Sequence, residues 1–475
     1  MSRFVLRSQI AAPARDVFAW HARPGALQRL NPPWEPAELV RLDGIRDGDI
    51  AELRVGLGPV KQRWVARHRD YIEGRQFADE QIEGPFARWL HVHRFEQKNG
   101  SACLYEDDVT YELPLAGLGR AVGGDFIRRK LERMFAYRHA VVASDLERHQ
   151  SAPRSPLTIA ISGATGLIGS ALSAFLTTGG HRVLPLVRRP ARRPDEIAWD
   201  PTRGEIERDK LEGLDAVIHL AGAGIADERW TAARKREIHD SRVAGTRLIS
   251  ATLASLRRPP SVLVSASAIG WYGERSGVVD ESAARGEGFL ADICADWETA
   301  ADAARAAGIR VVHPRIGIVL TPAGGALAKM LTPFKLGLGA RLGDGSAPVS
   351  WVAIDDVLGA LHFALYHRAL EGPFNVTAPA PTTQGKLATA LGQALHRPSA
   401  LRVPAAALRL LLGELAESVL AGATVLPARL LTAGFHFHHP TLAGALGYLL
   451  GVHSAGEAAE LPSVVPVDHG RRVRQ

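Results

Sequence analysis

The sequence predicts two domains of different class: an α+β domain of antiparallel strands over residues 1–150, and a doubly wound parallel α/β domain over residues 157–420. Three observations predict this. Apolar residues recur with period two up to about Glu112 and with spacings of three and four after Phe126. The stretch HQSAPRSPLT, residues 149–158, carries Ser, Pro and Arg without periodicity and marks a linker over 151–156. Beyond it, ISGATGLIGS sets three glycines at a spacing of three between a β-branched apolar run and a helical one. At 475 residues the chain also exceeds what one hydrophobic core usually supports.

The first domain opens with alternating apolar and polar residues, then PARDVFAWHA reads as a short helix with Pro13 in its first turn. Ala51, Leu53 and Val55 share one face of a strand, and VKQRWVARH and SACLYEDDVTYEL alternate in the same way. Ile127, Leu131, Met134, Phe135, Val142 and Leu146 then form the apolar stripe of one long closing helix. His91 and His93 share a strand face, but no Cys or carboxylate set accompanies them in the local sequence. They read as packed or solvated histidines, and no metal site is expected.

The order of strand, short helical pair, antiparallel strands and long C-terminal helix resembles the START/Bet v 1-like helix-grip family, also called polyketide cyclase/dehydrase-like. The resemblance implies a sheet curled around the helix and a pocket for a small hydrophobic ligand. Trp64, Trp89, Phe95 and Tyr105 would either line that pocket or fill the core.

Composition narrows the function classes. The formal charge of +7 comes from arginines scattered among acids, with no basic run interleaved with aromatics, so no nucleic-acid partner is expected. The apolar stretch near residues 404–427 is interrupted by Arg409, Glu414 and Glu417, so no membrane span is expected. The N-terminus lacks the apolar core of a signal peptide, and only Cys103 and Cys294 are present, which points to reduced thiols and a cytoplasmic location.

In the second domain LTIAISG reads as a buried parallel strand and LIGSALSAFLTTGG as the following helix. Gly163 permits the tight turn, Gly166 lets the backbone approach a pyrophosphate, and Gly169 allows the helix to pack closely on the strand. Thr165 and the helix-opening Leu167 and Ile168 complete the phosphate-facing turn, with Ser162 beside it. Where a NAD site usually presents an acid to the ribose, this chain has Arg188 and Arg189, so NADP(H) is preferred over NAD(H). LDAVIHLAGAGI reads as the fourth parallel strand, placing Leu220, Ala221 and Gly222 beside the adenosine half.

GATGLIG, HLAGAGIADERWTAARKREIHDSRVAGTRLI, SASAIGWYGE, FLADICADWE, PRIGIVLTPAGGALAKM and SWVAIDDV together resemble the atypical extended short-chain dehydrogenase/reductases, in their epimerase-like branch with a distinctive C-terminal domain. That resemblance covers residues 157 to about 450 and implies a Rossmann fold, with residues 421–475 as a family-specific helical segment and tail. It also implies hydride exchange with a nicotinamide and a Ser, a Tyr-x-x-x-Lys pair and an Asn for proton transfer. Ser267 matches the serine, Arg242 stands at the Asn position, and Leu290 and Cys294 replace the Tyr and Lys.

The missing pair directs attention to other groups. Tyr272, five residues after Ser267, is either a proton donor or a packed tyrosine, and Glu298, one turn beyond Cys294, either a proton carrier or part of a solvated face. Arg242 shares a helix face with Ile238, Gly245 and Ile249, so it points inward and needs an anionic or carbonyl partner. Lys329 and Trp351 are candidate substrate contacts on the substrate-side lobe. The expectation is an NADP(H)-dependent oxidoreductase or epimerase-like enzyme acting on a small-molecule substrate, with a nucleotide-binding sensor or scaffold as the alternative.

Overall fold

The computed structural model describes residues 1–452 except 36, 58, 59, 115 and 154; the tail expected over 453–475 lies outside the described residues. The chain divides into two compact units, the bulk of the first being Met1–Arg154 and the second Ser155–Leu176 with His181–Leu450.

The first unit holds strands β1 (Ser2–Ile10), β2 (Ala37–Leu42), β3 (Ile50–Leu57), β4 (Val60–Ile72), β5 (Gln76–Glu83), β6 (Arg88–Asn99) and β7 (Ala102–Glu112). They form a seven-stranded sheet in the order β1-β7-β6-β5-β4-β3-β2, antiparallel throughout. Helix α1 (Ala14–Ala22) and helix α2 (Ala26–Leu30) follow β1, with Pro13 at the N-cap rather than inside the first turn. Helix α3 (Ala116–Gln150) closes the unit and exceeds the apolar stripe that predicts it. Its Leu131 and Phe135 pack on Trp89, Val109 and Tyr111 of the sheet.

Because strand residues alternate between faces, β6 turns Trp89, His91, His93 and Phe95 inward together. A cavity of about 290 Å³ remains between sheet and helix, lined by Trp64 and Trp89 among others. Phe95 and Tyr105 do not line it: their rings stack at 5.4 Å and fill the core. The reading of His91 and His93 without carboxylates is also corrected, since β5 and β7 bring Asp79 and Asp107 against them from outside the local sequence.

The second unit is built on parallel strands β8 (Thr158–Ser162), β9 (Arg182–Val187), β10 (Ile197–Asp200), β11 (Ala216–His219), β12 (Val262–Ser265), β13 (Arg310–Ile316) and a later strand at Gly372–Val376. Their order is β10-β9-β8-β11-β12-β13 followed by Gly372–Val376, so the direction of winding reverses between β8 and β11. Helices α4 (Leu167–Thr178), α5 (Ala232–Ala254) and α6 (Phe289–Thr299) follow β8, β11 and β12. Both sheet faces are covered, which explains why strands such as β11 and β12 are buried along their whole length. Residues 421–450, expected as a separate segment, fall in this unit. The Val425 N–H donates to Ser350 Oγ, Asn375 Nδ2 donates to the Leu426 carbonyl, and Thr377 Oγ1 donates to the Val425 carbonyl. Among the described residues no helix is long and apolar enough to cross a membrane.

Candidate functional site

The crevice where the winding reverses is the place at which open parallel sheets bind ligands, and the glycine turn sits there. Gly163 has φ +69°, and a Cβ on it would lie 2.9 Å from the Ala221 nitrogen. On Gly169 a Cβ would come within 2.1 Å of the Gly163 carbonyl oxygen. The β8 turn, the start of α4 and the chain leaving β11 are therefore pressed together at a distance that excludes side chains. Thr165, Gly166 and Gly222 are exposed beside it, while Leu167, Ile168, Leu220 and Ala221 are half-buried, so backbone faces the crevice. Ser162 does not face it. Its Oγ lies 2.5 Å from His219 Nδ1 and accepts from the Leu220 and Ala221 N–H groups, tying β8 to β11. Burial, reinforced by the Arg242 charge, pushes His219 down to about 3, so it stays neutral.

The two arginines after β9 have different environments. Arg189 makes two bonds of 2.8 Å to the Glu196 carboxylate, and that pairing draws the carboxyl down to about 2. Arg188 is exposed and makes no side-chain bond among the described residues.

Ser267 lies just past β12, in register opposite Arg315 of β13, so the two side chains stand as neighbours on the sheet. Leu290, Cys294 and Glu298 repeat every four residues along α6 and descend on that pair from one helix face. Ser267 Oγ donates to Glu298 Oε1 at 2.7 Å, and Arg315 grips the same carboxylate through Nε at 2.8 Å and Nη2 at 2.9 Å. The guanidinium also stacks on Trp271 at 3.8 Å. Cys294 donates to the Ala268 carbonyl at 3.5 Å, and burial, with Glu298 adding to it, pushes its thiol up to about 11, so it is no thiolate nucleophile at neutral pH.

Tyr272 is corrected as a substrate-facing acid. It is fully buried, donates to Asn375 Oδ1 at 2.8 Å and accepts from Arg315 at 3.2 Å, while burial raises its pKa. Trp351 is likewise corrected: it is 0% exposed, with its indole N–H on the Ala380 carbonyl at 3.1 Å, and serves the core. Lys329 is exposed and reaches the Ala226 carbonyl at 2.6 Å, bridging its helix to the loop after β11. Arg242 is buried and does meet carbonyls, since Nη1 donates to Ala223 and Ile238, each at 3.0 Å. Its Nε lacks a partner among the described residues, which leaves a donor near Cys294 and Gly222. Arg315 and Asn375 were missed in the sequence. The available signal was an arginine between Pro314 and Ile316 in the strand RVVHPRI, where a buried charge requires a partner.

Residues 159–377 match the NAD dependent epimerase/dehydratase family, residues 403–449 a domain of unknown function, DUF1731, and residues 10–135 the polyketide cyclase / dehydrase and lipid transport family. An epimerase family protein of Mycobacterium bovis is 46% identical over 61% of this chain and 96% of its own length. The crystal structure of a nucleoside-diphosphate sugar epimerase from Corynebacterium glutamicum superposes with a TM-score of 0.79 at 30% identity, over 96% of this chain and 92% of that one. Human epimerase family protein SDR39U1, solved with NADPH, superposes with a TM-score of 0.56 at 31% identity over 62% of this chain and 99% of its own.

Proposed function

Because this chain belongs to the epimerase family, with a polyketide cyclase-like unit ahead of its Rossmann unit, we propose that the second unit is an NADP(H)-dependent oxidoreductase or epimerase-like enzyme of the cytoplasm acting on a small-molecule alcohol or carbonyl. The observation that carries the reading is the turn at 162–169, closed so tightly that Gly163 and Gly169 admit no Cβ, with Arg188 free at the end of the neighbouring strand. Backbone N–H groups opening α4 suit a pyrophosphate, and Arg188 suits a 2′-phosphate. The human relative solved with NADPH supports the same cofactor. The bound nicotinamide would supply or take up a hydride.

This chain's own contribution is proton handling without the Tyr and Lys. By donating to Glu298, Ser267 keeps its lone pairs for a substrate hydroxyl. As that hydroxyl gives its proton to Ser267 Oγ, the serine proton passes along its 2.7 Å hydrogen bond to Glu298, and Arg315 holds the carboxylate in line. The buried Arg242 guanidinium would act on developing negative charge through space, its Nε having no partner among the described residues. A second reading, a nucleotide-binding sensor without turnover, is favoured by Leu290 and Cys294 at the usual Tyr and Lys positions and by the inward Tyr272.

Calorimetry with NADPH and NADH, followed by turnover assays across carbonyls and nucleoside-diphosphate sugars, separates the readings. Tight NADPH binding with turnover that Ser267→Ala lowers by about 10²-fold or more supports the enzyme. Tight NADPH binding with no turnover selects the sensor, and absence of binding removes both.

A further inference from the structure

We propose that Asp79, His91 and His93 of the first unit form a site for a divalent first-row transition metal ion, set in the wall of the apolar cavity and open to a ligand held there. The three residues offer donor atoms that all lie within 4.8 Å of one another. They meet because the antiparallel register sets Asp79 opposite His91, and His93 follows two residues on along the same inward face of β6. Asp79 Oδ2 lies 3.1 Å from His91 Nδ1 and 3.6 Å from His93 Nε2. Donors bound at about 2.0–2.1 Å to a tetrahedral ion stand about 3.3 Å apart, and the two distances bracket that spacing.

The surroundings match those of a metal-binding histidine pair. Asp107 is 0% exposed and turns Oδ1 to His91 Nε2 at 3.0 Å and to His93 Nδ1 at 2.7 Å. Each imidazole thus directs one nitrogen to Asp107 and the other toward Asp79 and the cavity. A carboxylate behind each histidine is how ligating imidazoles are usually oriented. Asp107 Oδ2 accepts from Tyr105 at 2.8 Å and takes His139 Nε2 at 2.9 Å, and His139 Nδ1 reaches Ser8 Oγ at 2.8 Å, so the supporting carboxylate is itself held on every side. Among the described residues no Lys or Arg side chain bonds Asp79 or Asp107, and an ion of charge +2 balances both.

Two imidazoles and one carboxylate leave coordination positions open, as in metal sites that bind a substrate. Asp79, His91 and His93 all face the cavity, whose remaining wall includes Leu53, Val55, Trp64, Ile127 and Met134. The ligand class is therefore an apolar molecule carrying one oxygen donor, such as a carboxylate or an enolisable ketone, with the oxygen on the metal and the hydrocarbon against this wall.

The test uses the full chain, stripped with chelator and titrated with Co²⁺ alone, then with Zn²⁺ as competitor. The expected result is a visible ligand-field band saturating at one equivalent and displaced by Zn²⁺. Asp79→Asn and His93→Gln should each weaken Co²⁺ binding at least about 10-fold, the scale on which even supporting residues of metal sites act. A His436→Ala/His438→Ala variant, which removes two histidines of the second unit and leaves Asp79, His91 and His93 intact, should bind as the parent does. Near-UV circular dichroism of the aromatic cluster reports whether each variant keeps the first unit folded. Should both variants unfold, ¹⁵N shifts of the His91 and His93 rings in the parent chain, with and without Zn²⁺, decide the matter. The proposal is overturned if no band appears, if folded Asp79→Asn and His93→Gln bind like the parent, or if both rings stay doubly protonated at saturating Zn²⁺.

Discussion

Replacing Glu298 with Ala tests how the second unit holds Ser267. Arg315 is 2% exposed and its carboxylate partner 11% exposed at the side chain, so removing the carboxylate leaves a buried guanidinium with no anionic partner among the described residues, held by the Tyr272 hydroxyl and the Trp271 ring. Breaking a buried pair from one side costs about 3–5 kcal/mol. For a unit of about 290 residues, with an unfolding entropy of about 0.6 kcal/mol/K, that corresponds to a fall in Tm of roughly 5–8 °C. Replacing both partners, Glu298→Leu with Arg315→Met, removes the unpaired charge and should return stability to within about 2 kcal/mol of the parent, because well-packed apolar groups commonly replace such pairs at little cost. Neither change touches the glycine turn, so NADPH affinity measured by calorimetry should stay within about 2-fold. Turnover should remain lost in the double variant, since Ser267 Oγ then lacks the acceptor that orients it. Thermal unfolding and steady-state assays on the same preparations separate the two roles. A loss below about 1 kcal/mol in Glu298→Ala would show the pair to be solvated, and full turnover in the double variant would refute the orientation of Ser267 by Glu298.

Three further outcomes follow from the same geometry. Arg188→Asp should weaken NADPH by roughly 10- to 150-fold, the equivalent of about 1.5–3 kcal/mol, and leave NADH nearly unchanged, whereas equal losses for both cofactors would place Arg188 away from the 2′-phosphate. Gly169→Ala puts a Cβ more than an ångström inside ordinary contact with the Gly163 carbonyl oxygen; it should destabilise the unit by about 1–3 kcal/mol and reduce NADPH affinity at least about 10-fold, and binding that is unaffected would argue against the turn as the phosphate site. His219 is held neutral down to about 3, so below the ordinary value of 6.5 the unfolded chain takes up a proton that the folded one refuses. Its contribution is whole above pH 6.5 and falls by about 1.4 kcal/mol per unit as pH drops toward 3. Urea unfolding at pH 7 and pH 4.5 should show His219→Asn losing less stability on acidification than the parent, and an identical pH dependence would sink that account.

Much of the fold was legible because it rests on local pattern. Gly163, Gly166 and Gly169 between a buried run and a helical run specify a turn that few other sequences satisfy, and β3 and β6 announce their inward faces by alternation. Arg242 was legible for the same reason, since Ile238, Gly245 and Ile249 put it on the inner face of α5. Tyr272 and Trp351 misled because position in a loop or at a strand start says nothing about which way a ring turns. Both rings turned into the core, where Asn375 and the Ala380 carbonyl met their polar atoms. Arg189 looked equivalent to Arg188 until Glu196, seven residues on, claimed it.

The sequence by itself determined the division into two domains, the class of each and the nucleotide turn, all of them properties of residues close together along the chain. Tertiary structure alone decided which side chains share a site. Ser267, Glu298 and Arg315 come from a strand end, a helix and the next strand, while Asp79, His91 and Asp107 come from three neighbouring strands. Each set is fixed by strand register and by a helix lying over the sheet. Hydrogen bonds and charges select partners by distance in space, and residues 10 to 50 positions apart leave no periodic trace of that choice.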